Sequence, residues 1–236
     1  MKNHNFSPAD LAAKIDHTLL KPEASLADIE QICTEAIKYG FASVCVNPCY
    51  IKHVAQCLKG KSPKVCGVVG FPLGASHSRI KQAEAHQNIQ DGAQELDMVI
   101  NISAALAKNY EYVTHDIADV LQACRQVNPP VLLKIILEMK VLPPDIKLRM
   151  CSIANDLGVD FLKTSTGMHP AGGAALEDVQ FLHQHRGNCK VKASGGIRNL
   201  HSTKALLLAG ADRIGTSSGK TIMDELIQNP QIPRKT

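Results

Sequence analysis

Along the chain, short apolar runs alternate with longer stretches whose apolar residues recur every three or four positions. One phrase marks the junctions. Tyr39-Gly40-Phe41-Ala42-Ser43-Val44 returns with variations as Asp91-Gly92-Ala93-Gln94-Glu95-Leu96, as Leu157-Gly158-Val159-Asp160-Phe161-Leu162 and as Ala209-Gly210-Ala211-Asp212-Arg213-Ile214. Each time a glycine follows a helical pattern and precedes an apolar run. Glycine ends a helix because it enters the left-handed conformation without a Cβ penalty. The apolar run after it reads as a parallel strand buried on both faces. Gly40 and Gly92 are 52 residues apart, as are Gly158 and Gly210. Two βα units of about 26 residues each give that distance.

This pattern predicts eight strands, Lys14–Leu19, Ala42–Asn47, Val65–Phe71, Glu95–Asn101, Val131–Leu137, Phe161–Ser165, Lys190–Ser194 and Arg213–Thr216. Helices are predicted between them. Leu26–Tyr39 places Ile29, Ile32, Cys33, Ala36 and Ile37 on one face. Ser78–Gln90 and Tyr110–Val127 are two more, and Pro143-Pro144 opens another that runs to Leu157. Ser7-Pro8-Ala9-Asp10 starts a short extra helix before the first strand. Strict βα alternation implies a parallel sheet. Eight units in 236 residues favour a closed (β/α)8 TIM barrel over a doubly wound sheet. No linker divides the chain, so residues 1–236 read as one (β/α)8-barrel catalytic domain.

Composition narrows the function. The net charge of +4 is spread along the chain, only Arg234 and Lys235 cluster, and there is no Trp. No nucleic-acid partner is therefore expected. Met1–Asp10 lacks the apolar stretch of a signal peptide, and no window reaches the length of a membrane span, so no membrane partner is expected either. The eight cysteines form no CxxC pair and have no companion histidines at zinc spacing, so no metal is expected. A reducing cytoplasm suits them.

The informative residues are charges inside apolar strands: Asp16, Asp97, Lys134, Lys163 and Lys192. A lone buried charge costs several kcal/mol, so such groups are paired or neutralised. A structural salt bridge would explain any one of them, and Asp16 with Lys134 most easily. Five on five strands converging on one axis point instead to a site at the C-terminal strand ends. Lys134, Lys163 and Lys192 come within reach of one another on neighbouring strands. Two ammonium groups ~5 Å apart at an effective dielectric of ~20 repel by roughly 3 kcal/mol. That repulsion favours a neutral lysine, a competent nucleophile towards carbonyls. Asp97 could then move protons, through water if needed.

Two glycine-rich segments follow the last two strands, Ser194-Gly195-Gly196-Ile197-Arg198 and Gly215-Thr216-Ser217-Ser218-Gly219. Phosphate sites in this fold use these loops with a helix N-terminus. Thr164-Ser165-Thr166-Gly167 adds hydroxyls at the same mouth. His17, His77 and His169 lie near strand ends without metal spacing and read as supporting or surface residues. Cys45 reads as pocket lining, since no base adjoins it in sequence.

Val159-Asp-Phe-Leu-Lys-Thr-Ser-Thr-Gly167 and Val191-Lys-Ala-Ser-Gly-Gly-Ile-Arg198 resemble the two signature segments of deoxyribose-phosphate aldolases. Ile15–Leu20, Val44–Pro48, Val69–Gly74 and Glu95–Asn101 are similar to further family segments in order, so the resemblance runs from about Leu11 to Leu226. It implies that Lys163 forms the Schiff base, that Lys192 depresses its pKa and that Asp97 transfers protons with water. The implied reaction is reversible cleavage of 2-deoxy-D-ribose 5-phosphate to acetaldehyde and D-glyceraldehyde 3-phosphate, with no cofactor. Phosphate contacts would fall on Gly167, Gly195, Gly196, Arg198, Gly215, Ser217 and Ser218. Asp16, Thr18, Cys45, Lys134 and Thr166 would line the substrate pocket. A cytoplasmic homodimer or homotetramer acting on small molecules is implied. Two departures stand out. Met168 occupies a place where some members carry Lys, and the tail ends Pro233-Arg-Lys-Thr236 where some members end in Tyr. Another Schiff-base lyase of phosphorylated sugars, or an inactive sugar-phosphate-binding barrel, remain alternatives.

Overall fold

The computed structural model describes residues 6–228. The terminal features, Arg234 and Lys235 among them, lie outside the described residues. Eight parallel strands close into a barrel in sequence order: β1 (Ile15–Leu19), β2 (Ser43–Val46), β3 (Lys64–Val69), β4 (Glu95–Val99), β5 (Leu132–Ile136), β6 (Phe161–Lys163), β7 (Lys190–Ser194) and β8 (Arg213–Thr216). The helices are α1 (Pro8–Ala12), α2 (Leu26–Tyr39), α3 (Ile51–Cys57), α4 (Ser78–Gln90), α5 (Ile102–Leu106), α6 (Tyr110–Arg125), α7 (Pro144–Leu157), α8 (Leu176–His185), α9 (Leu200–Leu208) and α10 (Gly219–Gln228). The predicted TIM barrel and its extra N-terminal helix are both present.

The local reasons match the sequence pattern. Ser25 caps α2 in a reciprocal box with Asp28, and Gly40 ends it at φ 74°. Gly158 ends α7 in the same way at φ 76°. The outward faces of the strands pack on the helices and form the main apolar core, with Ile15, Val44, Leu96, Ile135, Leu162 and Ile214 fully buried. A second cluster of Leu20, Cys45, Cys66 and Val68 sits apart from it.

Some strand ends differ from expectation. β6 stops at Lys163 instead of Ser165 because hydroxyls take over the pairing with β7. Ser165 Oγ donates to Ser194 O at 2.8 Å, and Thr164 Oγ1 accepts from Ser194 N at 3.1 Å. β4 stops at Val99, and Asn101 instead caps α5 by accepting from Ala104 N at 3.0 Å. β3 stops at Val69, before Gly70 turns to φ 63°. Ile37 does not join the buried face of α2; it is 37% exposed. Sequence inspection also passed over a fully buried ion pair between helices, Lys81 of α4 to Asp116 of α6 at 2.6 Å.

Candidate active site

Strand register builds the site. Lys163, the last residue of β6, is paired with Lys192 of β7, and Asp97 of β4 is paired with Lys134 of β5. Register partners in a parallel sheet point to the same face, here the barrel interior. Asp97 is the hub. Its Oδ2 accepts from Lys163 Nζ at 2.7 Å and from Lys192 Nζ at 2.6 Å, and its Oδ1 accepts from Lys134 Nζ at 2.9 Å. All three expected lysines therefore meet on one carboxylate.

A second layer of carboxylates supports the hub. Asp16 Oδ2 binds Lys192 Nζ at 2.6 Å, and its Oδ1 binds Arg213 Nη1 at 2.5 Å and Ser43 Oγ at 2.6 Å. Glu95 Oε2 binds Lys134 Nζ at 2.6 Å and Arg213 at 3.3 Å. Asp16 and Lys134 do lie within ion-pair distance, at 3.9 Å, but each has closer partners, so their pairing is one edge of a larger network. Glu95 and Arg213 escaped the sequence reading. Glu95 stands two residues before Asp97, and Arg213 two before Gly215, so the period of two could have found them.

The electrostatics follow from this packing. Burial disfavours ionised Asp97, but Lys134, Lys163 and Lys192 outweigh it and hold the carboxyl well below its usual range. Burial likewise opposes charge on Asp16, and Lys192, Arg213 and Lys134 hold it low. Burial works against the Lys192 ammonium, yet Asp16 and Asp97 raise its pKa above the ordinary lysine value. Lys192 is thus a fixed cation. Four cationic side chains, Lys134, Lys163, Lys192 and Arg213, face three carboxylates, Asp16, Glu95 and Asp97.

A cavity of about 240 Å³ opens at the C-terminal ends of the strands and is lined by Lys163. Thr18, Thr166 and Gly167 border it, with Gly195, Gly196, Arg198, Gly215 and Ser217 across the mouth. Ser194 of the predicted glycine-rich segment lines it as well, and Leu20 and Lys21 line it without having been anticipated. Asp16, Cys45, Asp97, Lys134 and Lys192 are fully buried and do not line the cavity. Ser218 also lies off the lining, its N–H donating to Thr216 Oγ1 at 2.9 Å just ahead of α10.

The glycines have separate reasons. Gly167 and Gly195 pack backbone to backbone, and a Cβ on Gly195 would meet Gly167 Cα at 2.9 Å and Gly173 Cα at 2.8 Å. Gly215 belongs to β8, and a Cβ there would meet Ser194 Cβ at 2.9 Å and Lys192 Cε at 3.0 Å, so it makes room for both side chains. Glu138, at φ 55°, is an unpredicted support: its Oε2 accepts from Thr166 Oγ1 at 2.6 Å and from Thr166 N at 3.2 Å. Nothing in the sequence pattern marks it, because it lies beyond the end of β5.

His17 faces Glu35 of α2 at 2.7 Å, outside the barrel interior, in keeping with a supporting role. A larger cavity of about 590 Å³ lies at the opposite end, where Lys14, Lys190 and Asp212 mark the strand starts. Barrel chemistry resides at the other face, and Lys163 is there.

Similarity to known proteins agrees with this geometry. Residues 11–225 match the family model described as DeoC/LacD family aldolase. A deoxyribose-phosphate aldolase of Carboxydothermus hydrogenoformans is 46% identical over 222 residues, covering 94% of this chain and 97% of the relative. One from Lactococcus lactis subsp. cremoris is 48% identical over 216 residues, covering 91% and 96%. Among solved structures, a tetrameric deoxyribose phosphate aldolase from Aeropyrum pernix superposes with a TM-score of 0.87 at 32% identity, over 94% of this chain and 92% of that one. An aldolase named QR15 gives 0.87 at 38% identity, over 93% and 97%. The match spans the barrel from α1 to α10, and this chain belongs to the DeoC/LacD family of aldolases.

Proposed function

We propose that this protein is a class I aldolase that reversibly cleaves 2-deoxy-D-ribose 5-phosphate to acetaldehyde and D-glyceraldehyde 3-phosphate. The observation that carries the reading is the sharing of Asp97 Oδ2 by Lys163 and Lys192, at 2.7 and 2.6 Å, with Lys163 alone of the pair lining the cavity. The Lys163 amine adds to the sugar aldehyde, and loss of water gives an iminium. The hydroxyl on the third carbon loses its proton, and the bond between the second and third carbons breaks. Its electrons pass to the iminium, giving an enamine and free glyceraldehyde phosphate. Protonation of the enamine and addition of water release acetaldehyde and restore the amine. Asp97 acts with water in these proton transfers, and Lys192 supplies a fixed positive charge beside the reacting amine. The iminium is itself the electron sink, so the route needs no metal or cofactor.

The phosphate is assigned to backbone donors around Gly167, Gly195, Gly196 and Gly215, with Arg198, Ser217 and the head of α10 at Ser218. Thr18 and Thr166 contact the sugar, while Asp16, Cys45 and Lys134 shape the site from below. With Met168 in the loop, Lys21 and Arg198 are the cations at the mouth. We take residues 1–236 as one catalytic domain, working as a homodimer or homotetramer in the cytoplasm in deoxynucleoside catabolism. The tetrameric Aeropyrum pernix relative supports the oligomer, and the eight free thiols support the reducing compartment.

Incubation with acetaldehyde and borohydride, followed by peptide mapping, tests the chemistry. The adduct is expected on Lys163 and is lost in Lys163→Ala. A label elsewhere, or one undiminished in that variant, overturns the mechanism. Cleavage rates across other phosphorylated sugars separate this substrate from those of other Schiff-base lyases.

A further inference from the structure

Cys45 and Cys66 are register partners on β2 and β3. Both point into the barrel, and both are fully buried in the cluster with Leu20 and Val68. The two sulfurs and a carboxylate oxygen of Asp97 all lie within 4.8 Å of one another. Cys66 Sγ is 3.4 Å from Asp97 Oδ1 and 3.5 Å from Lys134 Nζ. The proposed reaction uses no step at either sulfur.

Such a trio could hold a soft cation, but the surroundings argue against it. Both Asp97 oxygens already bind ammonium groups, and three lysines crowd the carboxylate. Backbone spacing favours a bond between the sulfurs instead. Paired parallel strands run about 4.8 Å apart, inside the range of Cα separations that disulfides span.

We propose that Cys45 and Cys66 form a peroxide-oxidisable thiol pair, closing to a disulfide within the barrel and reversibly lowering the activity of the site above. The Cys45 sulfur attacks one peroxide oxygen; the S–O bond forms, the O–O bond breaks, and the departing hydroxide takes the thiol proton and leaves as water. The Cys66 sulfur then attacks the Cys45 sulfenic acid. The S–S bond forms, the S–O bond breaks, and the released hydroxide leaves as a second water with the Cys66 proton. Two thiols are oxidised and one peroxide is reduced.

The roles are set by the environment. A hydrogen bond from Cys66, with Lys192 and Lys163 nearby, favours the Cys45 thiolate against the burial and Asp97 charge that oppose it. Burial first, then the contact with Cys45, pushes the Cys66 thiol up. The pair lies next to the cavity: Leu20 belongs to the cluster and lines the substrate cavity, and Thr18, the register partner of Cys45, lines it too. Closure draws the sulfurs to about 2 Å and pulls Cys66 from Asp97, which carries Lys163.

The test is peroxide titration of the full-length protein, with peptide mapping under non-reducing conditions. The mapping is independent of activity, so it stands whether or not the proposed substrate is correct. A peptide linked through Cys45 and Cys66 is expected, together with an activity loss of about tenfold that dithiothreitol reverses, since small displacements of reacting groups are this costly. In Cys66→Ala the linked peptide is absent, and without the resolving thiol Cys45 passes on to the sulfinic acid, so part of the loss, relative to that variant's own untreated rate, no longer responds to dithiothreitol. Absence of the linked peptide in the unmodified protein at a dose that halves activity overturns the proposal. So does a loss that dithiothreitol leaves in place.

Discussion

Lys163 and Lys192 stand opposite each other across β6 and β7 and donate to the same oxygen of Asp97. Their nitrogens can be no farther apart than those two short bonds laid end to end. One reaches the cavity and the other does not, so their tasks differ although their chemistry is the same.

Replacing Lys192 by Met removes the fixed cation while keeping the bulk of the side chain. A repulsion of about 3 kcal/mol at this spacing corresponds to roughly a hundredfold in rate. kcat is expected to fall by about that factor at neutral pH. A rate equal to that of the unmodified enzyme at neutral pH would contradict the assigned role.

Asp97→Asn leaves Lys134, Lys163, Lys192 and Arg213 facing two carboxylates. Removing one member of a buried ion pair costs about 3–5 kcal/mol, which for a chain of this length lowers Tm by roughly 10 °C. Thermal unfolding followed by circular dichroism reads this directly. The aldol rate is expected to fall with it, and borohydride trapping at Lys163 reports how far the amine still reacts.

Gly195→Ala places a methyl group against Gly167 and Gly173 at a residue with φ 94°. The cavity mouth to which the phosphate is assigned must open to admit it. KM for the phosphorylated sugar is expected to rise about tenfold with a smaller change in kcat, the mark of lost binding that the transition state shares. The preference for phosphorylated over unphosphorylated deoxyribose should shrink by a similar factor.

Stability should depend on pH at both ends of the scale. Asp16 and Asp97 are held below their unfolded values by their lysine and arginine neighbours. Their contribution is complete above a pH of about 4 and is lost as pH falls through the folded values. Lys134 and Lys192 are raised, Lys134 by Asp97, Cys66, Glu95 and Asp16 acting against burial. Their contribution is complete below a pH of about 10 and is lost as pH rises through the folded values. Tm measured across pH should show a broad plateau between these limits, and a sharp maximum near neutrality would contradict the assignment.

Particular residues show what could be seen in advance. The glycines that end α2 and α7 were legible because a left-handed helix end has few other solutions. Lys163, Lys192 and Asp97 stood out because charge in an apolar strand needs a reason. Glu95 and Arg213 open their strands, where charged residues ordinarily reach solvent, so only their two-residue spacing from Asp97 and Gly215 marked them. Glu138 acts through a backbone turn that follows no strand period. The contact of Cys45 with Cys66 depends on the register between β2 and β3, and register is a property of two segments together.

The charged lattice inside the barrel also limits how such a site can change over generations. Each carboxylate serves at least two cations, so one replacement leaves several neighbours mismatched. Effects within a shared network of this kind do not add. New specificities are therefore more accessible through the loops bordering the cavity, where Met168 and Lys21 vary the mouth without disturbing the lattice below. The interior is inherited as a unit, and the rim is where relatives can diverge.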